Sequence, residues 1–257
     1  IGGTVAVAVY ALAGQLNGYY VTLASAVSGV FVPRVNRMVS AANDDKALTR
    51  LFTRVGRVQF LVLALVCSGL IVFGRPFINA WAGSDYSGAY PIVLLMIVPV
   101  TIPLIQNLGI EIQRAKNLHK FRSWVYLGMA LLNIGLSIPL AQRYGGVGAA
   151  IGTAASLVVG NGLIMNLYYQ RRVGLDMKYF WRQILRFAPA LAPVVVVGLA
   201  IMRFVNLYDV RSFLACGVMY VAVYCISVWF LGMNDYERNL IKQPVVAALQ
   251  RRKRGMD

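Results

Sequence analysis

The chain has 257 residues, of which 59% are hydrophobic and 13% are charged, and its formal net charge is +16. A soluble domain carries about 25% charged residues, so this composition excludes an ordinary soluble domain and favours a helix bundle solvated by lipid. The basic residues are clustered between long apolar runs instead of being spread along faces, a pattern typical of membrane topology. We therefore expect membrane lipids as partners and no nucleic acid.

Seven apolar runs predict membrane-spanning helices. A hydrocarbon core of about 30 Å requires roughly 20 apolar residues in a helix. The predicted spans are 4–33, 58–74, 89–112, 122–141, 147–169, 187–204 and 212–232. The expected fold class is an all-α integral membrane protein with about seven transmembrane helices.

The basic residues divide unequally between alternate ends of these spans. One set of ends holds 21 of them: Arg34, Arg37, Lys46, Arg50, Arg54, Arg57, Arg114, Lys116, Lys120, Arg122, Arg171, Arg172, Lys178, Arg182, Arg186, Arg238, Lys242, Arg251, Arg252, Lys253 and Arg254. The other ends hold Arg75, Arg143, Arg203 and Arg211. The positive-inside rule places the first set in the cytoplasm, so we expect a multi-pass protein whose C-terminus is cytoplasmic and whose residue 1 is outside.

The first span is unusually polar for a membrane helix. Tyr10, Asn17 and Ser28 lie near one face at helical spacing. Because lipid penalises unsatisfied polar groups, this face is expected either to hydrogen-bond neighbouring helices or to line a watery cavity that contacts sugar.

The inner segment 43–57 predicts an amphipathic helix. Leu48, Leu51, Phe52 and Val55 recur at helical spacing, with basic residues opposite them and Asn43 or Asp44 available as a cap. Such a helix is expected at the membrane interface. Its cations would either anchor it to anionic lipid or attract a phosphorylated head group.

Glu111 is the acidic residue that lies inside a predicted span, near the inner end of the third. An intramembrane carboxylate is a candidate for proton coupling or gating. The alternative is a structural ion pair with Arg114 or Arg122.

A glycine-rich run opens the fifth span. Gly148, Gly152, Ser156 and Gly160 recur every four residues. No strand precedes them, so this stripe favours close helix packing over phosphate binding.

No catalytic constellation is evident in the sequence. It has no Walker motif and no acidic cluster, and the single His119 cannot form a histidine metal site. We therefore expect no catalytic residues, no metal and no cofactor, and transport instead of covalent chemistry.

The order of elements resembles lipid-linked oligosaccharide flippases, the polysaccharide-transporter branch of the multidrug/oligosaccharidyl-lipid/polysaccharide superfamily. The resemblance rests on the stretches 8–13, 32–37, 73–83, 106–122 and 144–156, and it covers nearly the whole chain. It implies the C-terminal bundle of a two-bundle transporter, with residues 1–170 forming about five spans of the C-terminal lobe, including the interfacial helix near 44–57. Residues 171–257 then form two further helices and a basic cytoplasmic tail, and the N-terminal lobe is expected to be missing from the chain.

The resemblance also implies a function. Such proteins move undecaprenyl-diphosphate-linked oligosaccharide across the bacterial inner membrane for surface polysaccharide biosynthesis, including the O-antigen of lipopolysaccharide. The implied partners are the polyprenyl-diphosphate-linked glycan, membrane lipids, and the polysaccharide polymerase and chain-length machinery. Tyr10, Asn17, Ser28, Arg34, Arg37 and Arg57 are the candidate substrate-binding residues. The alternatives are a cation-coupled multidrug antiporter of the same superfamily and, less favoured, a membrane-embedded polysaccharide polymerase or ligase.

Overall fold

The computed structural model describes residues 3–29, 31–41 and 44–239, and the regular structure within these ranges is helical. Ten α-helices have both bounds within these ranges, and residues 235–239 are also helical: α1 Thr4–Gly29, α2 Val32–Ala41, α3 Asp45–Ala82, α4 Ala89–Ile105, α5 Leu108–Ala115, α6 Lys120–Leu157, α7 Met165–Tyr168, α8 Met177–Leu185, α9 Ala188–Phe204 and α10 Val210–Ser227. A 3₁₀ turn, Ser84–Tyr86, joins α3 to α4, and π-helical turns at Val158–Ile164, Tyr169–Val173 and Val228–Gly232 follow α6, α7 and α10. The all-α prediction is confirmed. The predicted tail beyond residue 239, like the alternative cap Asn43, lies outside the described residues.

Several helices have the length and apolar composition to cross a membrane. Within the described ranges these are Asp45–Ala82, Lys120–Val173 and Val210–Gly232, and there are five if each of two bent pairs is one span. The bent pairs are α4 with α5, which turn by 42°, and α8 with α9, which turn by 41°. The polar helix α1 is not among them.

The segment Lys120–Val173 folds back on itself at Gly145. Gly145 has φ 58° and ψ −138°, which is not helical. Two hydrogen bonds join the segments on either side of this break. Ser137 Oγ donates to the Ala149 carbonyl at 3.1 Å, and Thr153 Oγ1 donates to Asn133 Oδ1 at 3.3 Å. Residues 120–144 and 146–173 are therefore two antiparallel arms, in agreement with the separate spans predicted at 122–141 and 147–169.

The inner amphipathic helix differs from its prediction. It is the first part of the 38-residue α3, continuous with the predicted second span. Asp44 caps it, its Oδ1 accepting from the backbone N–H of Lys46 at 2.9 Å. Its apolar face is buried in the protein: Phe52 packs on Phe180 of α8, with 4.8 Å between ring centroids. The apolar face expected to meet lipid is therefore covered by α8, and an interfacial position of this segment remains a prediction.

The core divides between two clusters that both include residues of α3. In the larger cluster α4 packs against α1, α3 and α6. The smaller cluster joins α3 to α9 and α10 around Phe73, Phe187 and Tyr220. The last two long helices are thus attached to the rest of the protein through α3.

The predicted cytoplasmic segments meet at one end of the bundle. Lys116 Nζ bonds Asp45 Oδ1 at 2.5 Å and the Val173 carbonyl at 2.9 Å, and Thr49 Oγ1 accepts from the Asp176 N–H at 3.2 Å. At the opposite end a cavity brings Arg75 beside residues 84–88 and Tyr208. These inner segments therefore lie together at one end of the described fold, and Arg75 lies at the other.

Candidate functional site

The face of α1 predicted to meet sugar points into the protein. Ser28 is buried, and its Oγ accepts a hydrogen bond from Asn107 Nδ2 at 3.2 Å. Asn17 is half-buried, and its Oδ1 has no hydrogen-bond partner among the described residues. Tyr10 lines a largely apolar groove of about 410 Å³ formed with Ala6 and Gly146. These three side chains share one face, as predicted, but that face meets α4 and neighbouring segments of its own bundle.

The opposite face of α1 carries an exposed polar stripe, defined by Gln15, Tyr19, Thr22 and Ser25. Gln15 Nε2 donates to the Tyr19 hydroxyl at 2.8 Å. Thr22 and Ser25 donate to the carbonyls one turn earlier, at 2.9 and 3.0 Å. The stripe holds no charged group, and its oxygen and amide atoms remain open to a ligand on the outside.

The buried side of α1 fixes the direction of the stripe. The Tyr20 hydroxyl bonds Thr101 Oγ1 of α4 at 2.8 Å and donates to the Leu63 carbonyl of α3 at 3.2 Å. One turn further on, Gln59 Nε2 donates to the Ala24 carbonyl at 3.1 Å. Rotating α1 would break these bonds inside the bundle, so its packing holds the polar stripe outward.

The sequence held a signal for this stripe. Residues 15, 19, 22 and 25 follow the spacing of three and four that marks one helix face. The second polar set, Tyr10, Asn17 and Ser28, has spacings of seven and eleven residues and lies on the opposite face. With polar groups on both faces, the pattern alone does not say which face is buried.

Arg34 and Arg37 lie on α2, directly after the inner end of α1, and both are exposed. Val35 between them is fully buried, and α2 packs on α5. Among the ion pairs of the described residues, neither arginine has a carboxylate partner. Both guanidinium groups are therefore open at the basic end of the bundle.

Arg57, a candidate substrate-binding residue in the sequence, lies inside the protein. It is 3% exposed, and its Nε lies 2.5 Å from Glu237 Oε1. Nη1 and Nη2 also donate to the carbonyls of Gln183 and Gly232, at 2.6 and 2.9 Å. Its donors are occupied within the protein, so in this structure Arg57 is not presented to a ligand.

Glu111 lies in the first turn of the short helix α5, beyond the break at Gln106 that follows Pro103. Its Oε1 accepts from Arg114 Nη1 at 2.9 Å, and the arginine side chain is largely exposed. Of the two partners considered from the sequence, the structure pairs Glu111 with Arg114. A coupling or gating role for Glu111 remains a prediction.

The small-residue stripe faces the first arm of the α6 hairpin at close range. A Cβ added at Gly148 would overlap the Leu140 carbonyl, and one at Gly152 would overlap Ser137. At Gly160 the same Cβ would collide with the Met129 side chain. The stripe therefore allows the two arms to approach more closely than larger residues permit.

Comparison with known proteins gives one informative match. No family model matches the sequence, and no solved structure matches it either. The chain is 25% identical over 222 residues to "Uncharacterized membrane protein EpsK" of Bacillus subtilis (strain 168), a region that is 86% of this chain. The match covers 44% of that relative, so the chain spans less than half of its length. The apolar helices and this similarity together show a multi-pass membrane protein related to EpsK.

Proposed function

We propose that the protein takes part in moving undecaprenyl-diphosphate-linked oligosaccharide from the cytoplasmic to the periplasmic leaflet of the bacterial inner membrane. The observation that carries the proposal is the exposed polar stripe of α1 in an otherwise apolar bundle. It also rests on the resemblance to flippases noted in the sequence. On this proposal the predicted seven helices all cross the membrane, with α1 as the first.

The chemistry of the stripe suits a glycan. The amide and oxygen atoms of the stripe that make no hydrogen bond within α1 would be unfavourable against hydrocarbon, because hydrocarbon cannot supply the hydrogen bonds that water makes to them. The same groups would hydrogen-bond sugar hydroxyls along a watery path. The uncharged stripe accepts a neutral oligosaccharide without the cost of desolvating a charge.

The inner end of the stripe leads to the cations that a diphosphate requires. Arg34 and Arg37 follow α1 and are exposed, without a carboxylate partner among the described residues. Guanidinium groups bind phosphate oxygens with two parallel hydrogen bonds. The diphosphate would meet these arginines first, the glycan would follow the stripe, and the polyprenyl tail would remain in the bilayer.

Transport in cells tests the proposal. The gene would be replaced by a variant carrying Gln15→Leu, Thr22→Val and Ser25→Ala, and both surface polysaccharide and cytoplasm-facing lipid-linked glycan would be measured. We expect surface polysaccharide to fall at least about tenfold and the lipid-linked precursor to accumulate, since three lost hydrogen bonds of at least about 0.5 kcal/mol each weaken binding by about 1.5 kcal/mol or more. Gln142→Leu, the same change at another exposed glutamine, is the matched control.

The control should leave transport unchanged. Normal transport in the triple variant would refute a glycan path along the stripe. Loss of cationic drug resistance without loss of polysaccharide would indicate an antiporter. Accumulation of short glycan on the periplasmic side would indicate a polymerase or ligase.

Thiol labelling tests whether water reaches the stripe. In a protein with Cys67, Cys216 and Cys225 replaced by alanine, Gln15→Cys and Thr22→Cys should react with a water-soluble maleimide. Leu131→Cys, on an exposed apolar part of α6, should not react because lipid covers it. Equal, low reactivity at all three positions would show that the stripe faces lipid.

A further inference from the structure

Arg122 is a buried cation whose described partners are neutral. Its side chain lies at the start of α6, and the residue is 9% exposed. Nη1 donates to the Tyr169 hydroxyl at 3.2 Å and Nη2 donates to the Tyr126 hydroxyl. The guanidinium also lies 4.8 Å from the centre of the Tyr126 ring. None of these contacts supplies a negative charge.

A second buried arginine shows how the same fold treats a cation with an internal partner. Arg57 is buried to a similar degree and is paired with Glu237. Among the ion pairs of the described residues none includes Arg122, and its nearest expected partner, Glu111, is paired with Arg114. Because a buried charge is costly without a counter-charge, an anion from outside the chain would stabilise Arg122.

The surroundings of Arg122 add to the positive potential. The first turn of α6 has no acidic residue and no side-chain cap, and it carries the exposed Lys120. A helix N-terminus is itself partly positive, so cations at this position are unfavourable unless an anion is present. Lys116, which precedes this turn, is already engaged by Asp45.

The surface beside Arg122 is one that lipid would cover. Tyr126 is 42% exposed, and immediately after it comes a column of exposed apolar side chains: Leu127, Leu131, Ile134 and Ile138. These residues follow helical spacing along the first arm of α6. A ligand with a phosphate at Arg122 could therefore lay a hydrocarbon chain along this column.

We propose that Arg122 binds the phosphate of a membrane lipid at the basic end of the bundle. Guanidinium and phosphate form bidentate, charge-assisted hydrogen bonds. The hydroxyls of Tyr126 and Tyr169 accept from Arg122, and that of the exposed Tyr126 keeps its own proton to donate to a phosphate oxygen. A phospholipid and a polyprenyl phosphate share this chemistry, and the site does not depend on whether the protein transports glycan.

Lipid binding to the purified protein tests the inference. Delipidated protein in neutral detergent would be titrated separately with phosphatidylglycerol, undecaprenyl phosphate and inorganic phosphate. Bound lipid would be counted by native mass spectrometry, and stability followed by the thermal unfolding midpoint. We expect saturable binding of one or both lipids, and an apparent dissociation constant about tenfold higher in Arg122→Gln, the size of effect that loss of a charge-assisted hydrogen bond gives.

Lys120→Gln is the matched control, since it removes one exposed positive charge from the same helical turn. It should change the dissociation constant by less than about threefold, as surface charges contribute little. Unchanged lipid binding in Arg122→Gln would overturn the proposal, and so would equal effects of Arg122→Gln and Lys120→Gln. Equal stabilisation by inorganic phosphate would also overturn it, by showing a site for a small anion instead of a lipid.

Two milder variants keep the test decisive if Arg122→Gln does not fold. Arg122→Lys retains the charge but loses the planar fork, and Tyr126→Phe removes one hydroxyl. Both should weaken lipid binding while the lipid-free protein keeps the wild-type unfolding midpoint. Wild-type affinity in both would refute the site. Whichever of the two lipids has the lower dissociation constant identifies the source of the phosphate.

Discussion

The guanidinium of Arg57 meets the carboxylate of Glu237 across 180 positions of sequence, with Nε 2.5 Å from Oε1 and Nη2 2.9 Å from Oε2. Both side chains are almost fully buried. Arg57 also stacks on the Phe187 ring at 4.3 Å and donates to the Gly232 carbonyl. This one pair ties the end of α10 and the segment after it to the inner part of α3.

Glu237→Gln should therefore destabilise the protein strongly. It leaves the Arg57 charge buried and unpaired, which costs about 3–5 kcal/mol. Unfolding in a mild detergent, followed by tryptophan fluorescence, measures the loss. The double variant Arg57→Leu with Glu237→Leu should lose less than Glu237→Gln alone, because it removes both charges. If the losses of stability measured for Arg57→Leu and Glu237→Leu alone simply added up in the double variant, the pairing would be contradicted.

At Gly56, near the inner end of α3, the end of α4 and helix α8 lie close to the α3 backbone. A Cβ at Gly56 would lie 2.6 Å from both the Ile105 carbonyl oxygen and Phe180 Cε2. Gly56→Ala should destabilise the protein by about 1–3 kcal/mol through overpacking. Gly69→Ala is the control on the same helix, since its Cβ would meet nothing within 4 Å. It should be neutral or stabilising by up to about 1 kcal/mol, because alanine favours helix.

The hairpin of α6 gives a prediction at Gly148. Its Cβ position is taken by the Leu140 backbone, which cannot move aside as a flexible side chain can. Gly148→Ala should therefore separate the two arms and lower the thermal unfolding midpoint, by an amount equivalent to about 1–3 kcal/mol. Gly135→Ala, on the first arm with nothing within 4 Å, should have no such effect. A stable Gly148→Ala protein would show that the arms do not pack at this distance.

Glu111→Gln separates the two roles considered for this carboxylate. The ion pair with Arg114 is partly solvated, so its loss should cost less than about 1 kcal/mol in stability. If Glu111 couples transport to protons, the variant should lose transport or its pH dependence while remaining folded. Full activity at every pH would leave Glu111 as a structural partner of Arg114.

The sidedness of the bundle can be tested in cells. In the cysteine-free protein, Arg50→Cys and Arg182→Cys should react only with a membrane-permeant maleimide, because their end is expected to be cytoplasmic. Asp85→Cys and Tyr208→Cys, which are exposed at the opposite end, should also react with an impermeant reagent. Impermeant labelling of the first pair would invert the topology.

The amino-acid sequence by itself determined the class of the protein and the arrangement of its ends. The length of an apolar run and the placement of basic residues are local properties. Each decides how a segment partitions between lipid and water, whichever helix becomes its neighbour. The all-α fold, the separate arms before and after Gly145, and the cap at Asp44 all follow from such local signals. The continuity of α3 does not follow from local signals. The apolar face at Leu48 and Phe52 fits a separate helix on a membrane surface as well as a helix covered by α8.

Only the tertiary structure decided what each polar side chain meets. The first helix has polar residues on opposite faces, and its rotation is set by the bonds of Tyr20 and Gln59 to neighbouring helices. Arg57 and Arg122 occupy similar positions in the sequence pattern, at inner helix ends. One is neutralised by a carboxylate 180 residues away and the other meets tyrosine hydroxyls. Charge pairing across a bundle depends on which helices become neighbours, a long-range property that local composition does not contain.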